Sequence, residues 1–215
     1  MSEPTDKLID RLAGSAQPVR PNRPLVQRFA LITIPIVLGI ALVGSIGGDP
    51  HTVMSHMTDP AFAMSTVSAA LTGLAAIFAA LTLSTPGRTR TGTTWVLFFA
   101  FIWLASSAVL CTRGMAAHAA DDMDIFASAD CFMFIMMSGT VLALLLQAVL
   151  RHMVFINAMK VTALLGLATA TLGTTLLAFF HPPETDVVDL VAHLAATAAL
   201  ILFMITAGRG ALQAP

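Results

Sequence analysis

Six runs of apolar residues constrain this chain more than any other feature of its sequence. Each run approaches the roughly 20 residues that an α-helix needs to cross a hydrocarbon core about 30 Å thick. The predicted spans cover residues 29–45, 62–83, 94–111, 129–150, 161–180 and 187–207. The charge content agrees, because only 11% of the residues are charged, against about 25% in soluble domains. The sequence therefore predicts an all-α integral membrane protein with six transmembrane helices and excludes a soluble globule.

The residues before the first span divide into a short helix and a tether. Residues 5–14 predict an amphipathic helix that carries Leu8, Ile9 and Leu12 on one apolar face. Because about ten residues make a marginal helix in water, this helix is expected to lie on a membrane surface or a partner protein, or else simply to pack or fray. Alternating prolines and arginines follow it and indicate an extended basic tether. The predicted organisation is a terminal segment, a six-helix domain and a tail, at residues 1–28, 29–207 and 208–215.

Basic residues are distributed unevenly around the predicted spans. If the N-terminus lies in the cytoplasm, ten basic residues fall on the cytoplasmic side and only Arg113 falls outside. The ten are Lys7, Arg11, Arg20, Arg23, Arg28, Arg88, Arg90, Arg151, Lys160 and Arg209. An even number of spans then returns the C-terminus to the cytoplasm, so both termini are expected there. The net charge of -1 gives no sign of bulk nucleic-acid binding.

The only two cysteines, Cys111 and Cys131, stand at the ends of the third and fourth predicted spans, on either side of a short acidic loop. Both thiols are therefore expected at the same, outer face of the membrane. In an oxidising compartment they could form a permanent disulfide, which over a loop of about 20 residues would contribute about 3 kcal/mol. A reversible thiol switch and a metal site are the alternatives.

Histidine and methionine side chains gather in the predicted outer loops. His51 and His56 alternate with methionines in the first such loop, and His181 lies beside the last. Imidazole, thioether and thiolate ligands together favour Cu(I), and Zn(II) is also compatible with cysteine and histidine. Methionine is an ordinary filler of apolar helices, however. A copper or zinc ion at the periplasmic face is therefore a hypothesis, and no other cofactor is indicated.

Asp189 and His193 lie four residues apart near the start of the sixth span, so they share one face of the helix. Ionisable side chains in lipid are costly unless they face protein or water. Three interpretations stay open. The pair could be a proton-linked trigger, part of a metal site with the carboxylate orienting the imidazole, or a mutual hydrogen bond that fixes helix packing.

The order and spacing of these features resemble the NrsF-type membrane anti-sigma factors of bacteria, over nearly the whole chain. The segments that carry the resemblance are TDKLIDRLAG, the tether VRPNRP, the turn LTLSTPGR, the outer Cys111 and Cys131, and FFHPPETDVVDLVAH. The resemblance implies an inner-membrane protein that holds an extracytoplasmic-function (ECF) sigma factor at the cytoplasmic face. It also implies that an envelope signal, sensed through Cys111 and Cys131, releases the sigma factor.

The same resemblance implies which other residues and partners matter. The N-terminal helix would dock on the sigma factor as a helix in a groove, through Leu8, Ile9, Leu12 and Arg11. Besides the sigma factor, the lipid bilayer is the expected partner, with neither nucleic acid nor a small-molecule substrate, and the protein is expected not to be an enzyme. Two other classes remain as alternatives: a small metal-ion or proton-coupled transporter, and a membrane redox enzyme.

Overall fold

A computed structural model describes residues 5–15, 24–83, 91–117, 125–150, 157–180 and 187–212. These residues form eight α-helices, without a strand among the described ranges. The helices are α1 (Thr5–Ser15), α2 (Leu25–Gly47), α3 (Pro50–His56), α4 (Pro60–Leu83), α5 (Thr91–Ala117), α6 (Ile125–Leu150), α7 (Ala158–Leu177) and α8 (Val187–Leu212).

Six of these helices, α2 and α4 to α8, are long and apolar enough to cross a membrane. The predicted all-α fold with six candidate spans is therefore confirmed, as is the short N-terminal helix α1. The observed helices differ from the predicted spans at their ends. Helix α5 continues six residues past Cys111 to Ala117, because the polar residues beyond an apolar run can extend a helix into water. Helix α7 ends at Leu177, ahead of a turn that reaches Phe180.

Helix α7 lies at the centre of the bundle and packs against α4, α6 and α8. Small residues permit this close packing. A Cβ atom added at Gly166 would lie 2.6 Å from the Cα of Ile201 on α8, and one added at Gly73 of α4 would lie 2.7 Å from the Cγ of Leu172 on α7. Small residues at such close contacts are typical of helices that pack in membranes. Helix α5 packs chiefly on α4, and α2 lies at the edge of the bundle.

Helix α3 was missed by the sequence-based prediction, which treated this stretch as loop. Asp49 caps the helix by accepting hydrogen bonds from the backbone N–H groups of His51 at 3.0 Å and Thr52 at 3.2 Å. Pro50 occupies the first helical position, where its missing N–H costs nothing. The N–H of Asp49 also donates to the carbonyl of Phe179 at 2.9 Å. This bond fastens the corner between α2 and α3 to the end of α7.

Consecutive spans run in opposite directions, so the bundle has two distinct ends. We call the end that carries α3 the α3 end. It gathers the C-termini of α2, α5 and α7 and the N-termini of α4, α6 and α8. The cytoplasmic placement of both chain termini would put the α3 end on the outer side, and that orientation remains a prediction.

Candidate functional site

A polar cluster lies inside the α3 end of the bundle, where α6 meets α8. Cys131 is only 1% exposed and packs in an apolar cluster with Ile135 of α6, Leu177 of α7 and Ala196 of α8. Asp189 of α8, which is itself 5% exposed, lies near this thiol. A buried thiol and a buried carboxylate therefore lie at the interface between α6 and α8.

Asp189 sits in the first turn of α8. The positive end of the helix dipole favours a carboxylate at this position. The Nδ1 atom of His193 lies 2.8 Å from the backbone carbonyl oxygen of Asp189 and 3.6 Å from its Oδ1 atom. The imidazole therefore bonds the backbone and stands beside the carboxylate without a short hydrogen bond to it. The prediction that these two side chains share one helix face is confirmed.

A small cavity of about 60 Å³ adjoins the pair, between α4, α5, α7 and α8. Its polar lining consists of Ser65, Ser107, Thr174, Asp189 and His193. The hydroxyls of Ser65 and Ser107 lie 3.0 Å apart, so they join α4 to α5 by a hydrogen bond at the cavity wall. A cavity of this size and polarity has room for ordered water beside the ionisable pair.

Cys111 lies at the α3 end, in the last part of α5, and is 5% exposed. Neither Cys111 nor Cys131 is in a disulfide in this structure. Helix α5, which carries Cys111, packs chiefly on α4, whereas α6, which carries Cys131, packs on α7 and α8. A bond between Cys111 and Cys131 thus stays a prediction.

The predicted metal ligands are spread over the α3 end. His51 is exposed on α3, and His56 is partly buried with its ring edge-to-face against Phe62 at 5.8 Å between centroids. Asp189 and His193 lie in the bundle as described above, and His181 falls outside the described residues. Within the described ranges, no three histidine, cysteine or acidic side chains gather in an arrangement that could hold a metal ion. Copper or zinc binding stays a prediction.

Helix α1 stands apart from this site. Its predicted apolar face is exposed: Leu8 is 46%, Ile9 56% and Leu12 61% accessible. Arg11 is also exposed on this helix. Among the helix pairs that pack extensively in the described part of the chain, none includes α1. An exposed apolar face of this kind is available to a membrane surface or another protein.

A protein-family model matches nearly the whole chain. The model of the NrsF family, described as negative regulator of sigma F, matches residues 12–213. The chain belongs to the NrsF family. The description of the family makes this protein a negative regulator of a sigma factor, so a sigma factor is its partner and a regulatory role is favoured over an enzymatic one.

No curated protein and no solved structure matches the chain. The NrsF match includes Cys111, Cys131 and Asp189 but begins at Leu12, so Leu8, Ile9 and Arg11 precede it. Any role of α1 in binding must therefore be argued from α1 itself.

Proposed function

We propose that this NrsF-family protein is a membrane-bound anti-sigma factor that holds an ECF sigma factor at the cytoplasmic face of the bacterial inner membrane. The observation that carries the proposal is the family match over nearly the whole chain, in a protein with six candidate membrane spans. Binding the sigma factor at a membrane would keep it away from RNA polymerase. A signal from the outer side would then release it.

The exposed face of α1 supports a docking role for this helix. Leu8, Ile9 and Leu12 are spaced to form one stripe along the helix, as in helices that lie in an apolar groove of a partner. The nine residues 16–24 join α1 to α2 and can extend over at most about 32 Å. A sigma factor bound to α1 would therefore be held close to the membrane.

Polar substitutions on the apolar stripe test this contact. The double variant Leu8→Gln and Leu12→Gln keeps helix-forming side chains but removes two apolar anchors. Loss of each anchor is expected to weaken sigma binding by about tenfold, since buried anchors contribute upwards of about 1 kcal/mol each. Transcription from a sigma-dependent reporter should rise accordingly. The matched control is Ser15→Ala, because the Ser15 hydroxyl donates to the Leu12 carbonyl of its own helix.

Repression of the reporter is compared between variants that are present in the membrane at equal levels. Repression lost in the Leu8 and Leu12 variant and kept in the Ser15 variant supports docking through α1. Unchanged repression in both variants contradicts it.

The orientation of the chain is part of the proposal. Ten basic residues would face the cytoplasm and only Arg113 the outer side, as the positive-inside rule favours. Reporter fusions at the two termini test this placement. A cytoplasmically active fluorescent protein should work at both ends, and a periplasmically active phosphatase should work at neither. An active phosphatase at either terminus would contradict the orientation.

The signal would act at the α3 end through Cys111 and Cys131. Oxidation of the thiols, or capture of a soft metal ion, would shift the bundle between two packings that differ in affinity for the sigma factor. A coupling of about 1 to 3 kcal/mol would weaken sigma binding by about 5 to 150-fold. Replacing both cysteines with serine should leave repression intact and abolish release on oxidant or metal stress. A normal response in that variant would remove the cysteines from the mechanism.

A further inference from the structure

The cavity beside His193 lies between two helices that otherwise touch little. Helix α5 packs chiefly on α4, and α8 packs on α6 and α7, while α5 and α8 contact each other at few positions. Ser107 of α5 and His193 of α8 both line the cavity, which has a volume of about 60 Å³. Because a water molecule occupies roughly 30 Å³ in the liquid, the cavity has room for about two water molecules.

The walls formed by α4 and α5 carry two hydrogen-bond donors that need acceptors. Trp103 of α5 lines the cavity and is only 4% exposed, and its indole N–H makes no hydrogen bond within the described ranges. A buried tryptophan N–H usually has a partner. The hydroxyls of Ser65 and Ser107 lie 3.0 Å apart, so one donates to the other. The accepting hydroxyl keeps its own proton, which is available to a further acceptor.

The walls formed by α7 and α8 carry acceptors. The Nδ1 atom of His193 lies 2.8 Å from the backbone carbonyl oxygen of Asp189. A carbonyl oxygen can only accept, so Nδ1 carries the proton of this bond, and in a neutral imidazole Nε2 is then an acceptor. Thr174 donates its hydroxyl proton to the Ala170 carbonyl at 3.1 Å, so this hydroxyl can only accept from another group. Water both donates and accepts, and it can therefore join the two kinds of group across the cavity.

We propose that the cavity is a binding site for ordered water, which accepts from Trp103 and the Ser65–Ser107 pair and donates to His193, so that α5 and α8 are joined through water. The inference goes beyond the proposed function, since it assigns a ligand to the cavity and does not depend on a sigma factor. Cys111 lies one turn from Ser107 on α5. The bound water thus lies in the contact between the helix that carries this thiol and α8.

The vibrational spectrum of Trp103 tests the inference in the full chain. The chain has two tryptophans, so a Trp95→Phe background leaves Trp103 as the only one. Ultraviolet resonance Raman spectra of the protein in membrane vesicles contain an indole band whose frequency reports hydrogen bonding of the N–H. This band should have the frequency of a hydrogen-bonded indole. A band at the frequency of a free N–H would overturn the inference.

Two valine substitutions on α5 identify water as the partner of the indole. Ser107→Val fills the cavity with methyl groups and should shift the band to the frequency of a free N–H, because the water is displaced. Ala108→Val places the same side chain on the exposed face of α5, outside the cavity, and should leave the band unchanged. A hydrogen-bonded band in the Ser107→Val variant would overturn the inference, and so would equal shifts in the two variants.

Solid-state nuclear magnetic resonance supplies a second readout on the parent chain. Magnetisation is transferred from water protons to the rings of ¹⁵N-labelled histidines, and the signal of His193 is identified by its loss in a His193→Gln variant. Partly buried His193 should receive magnetisation about as fast as exposed His51. Much slower transfer to His193 would show a dry cavity and overturn the inference, whether or not Ser107→Val folds. Neither readout involves a sigma factor, so a failure to bind sigma counts against the proposed function alone.

Discussion

Replacing Gly166 with alanine would test the close contact between α7 and α8 at the centre of the bundle. The new Cβ would lie 2.6 Å from the Cα of Ile201 and 2.9 Å from the carbonyl oxygen of Leu200. Both are backbone atoms, so α8 itself must move by about 0.8 Å to reach ordinary contact at 3.4 Å. Overpacking of this kind costs about 1 to 3 kcal/mol, while the change from glycine to alanine within a helix contributes about 0.5 to 1 kcal/mol of stability. The net result should be a loss of about 1 kcal/mol and at most about 2.5 kcal/mol.

Gly39 offers a matched control in α2. A Cβ atom added there meets no atom within 4 Å, so Gly39→Ala should keep only the gain in helix stability. Thermal unfolding in detergent should show a lower midpoint for the Gly166 variant and an unchanged or higher one for the Gly39 variant, with about 2 to 4 °C for each kcal/mol. Equal midpoints for the two variants, or a stabilised Gly166 variant, would refute the argument that this glycine is required for helix approach.

Two further predictions concern the loops at the α3 end. Hydrogen bonds from Thr52 hold the pKa of Asp49 below its ordinary value of 3.8. The helix cap that Asp49 forms therefore contributes stability above about pH 4, and this contribution is lost as the pH falls through the lowered pKa. Nuclear magnetic resonance shifts of α3 residues should follow the titration of Asp49. In the Asp49→Asn variant these shifts should no longer change with pH. Asp59 accepts from the N–H of Ala61 at 2.9 Å and from exposed Arg113 at 3.2 Å. Asp59→Ala should lower the free energy of unfolding by about 1 kcal/mol, because the helix cap is lost. Arg113→Gln should lower it by less, because it removes only an exposed ion pair. Equal losses of stability in the two variants, measured by thermal unfolding, would contradict the capping role.

The six membrane helices could be predicted because length and hydropathy alone determine which segments can cross a bilayer. The central position of α7 was also readable in part, since small residues at helical spacing mark close packing. The helix that each small residue contacts could not be predicted. Gly166 contacts Ile201 of α8 and Gly73 contacts Leu172 of α7, but the sequence around each glycine does not indicate which helix lies opposite.

The sequence predicts the arrangement of the candidate site less completely than it predicts the membrane helices. Cys111 and Cys131 stand on spans that follow each other in the chain, and this made them the natural pair. In the structure α5, which carries Cys111, packs chiefly on α4, whereas α6, which carries Cys131, packs on α7 and α8. Hydropathy does not encode which spans are neighbours. Helix α3, in contrast, had a readable signal in the Asp49-Pro50 pair, since aspartate at the cap and proline at the first position favour a helix start.

The measurement that tests the central claim most directly is affinity purification of the tagged protein from its native membrane in mild detergent, with and without residues 1–14. Mass spectrometry would identify the proteins that stay bound. The account predicts that a sigma factor is recovered with the full chain and is lost with the truncated one, although both insert in the membrane. Equal recovery of the sigma factor with both chains would contradict docking through α1. Recovery of no sigma factor with the full chain, particularly with copper or zinc bound, would contradict the anti-sigma function and favour the transporter alternative.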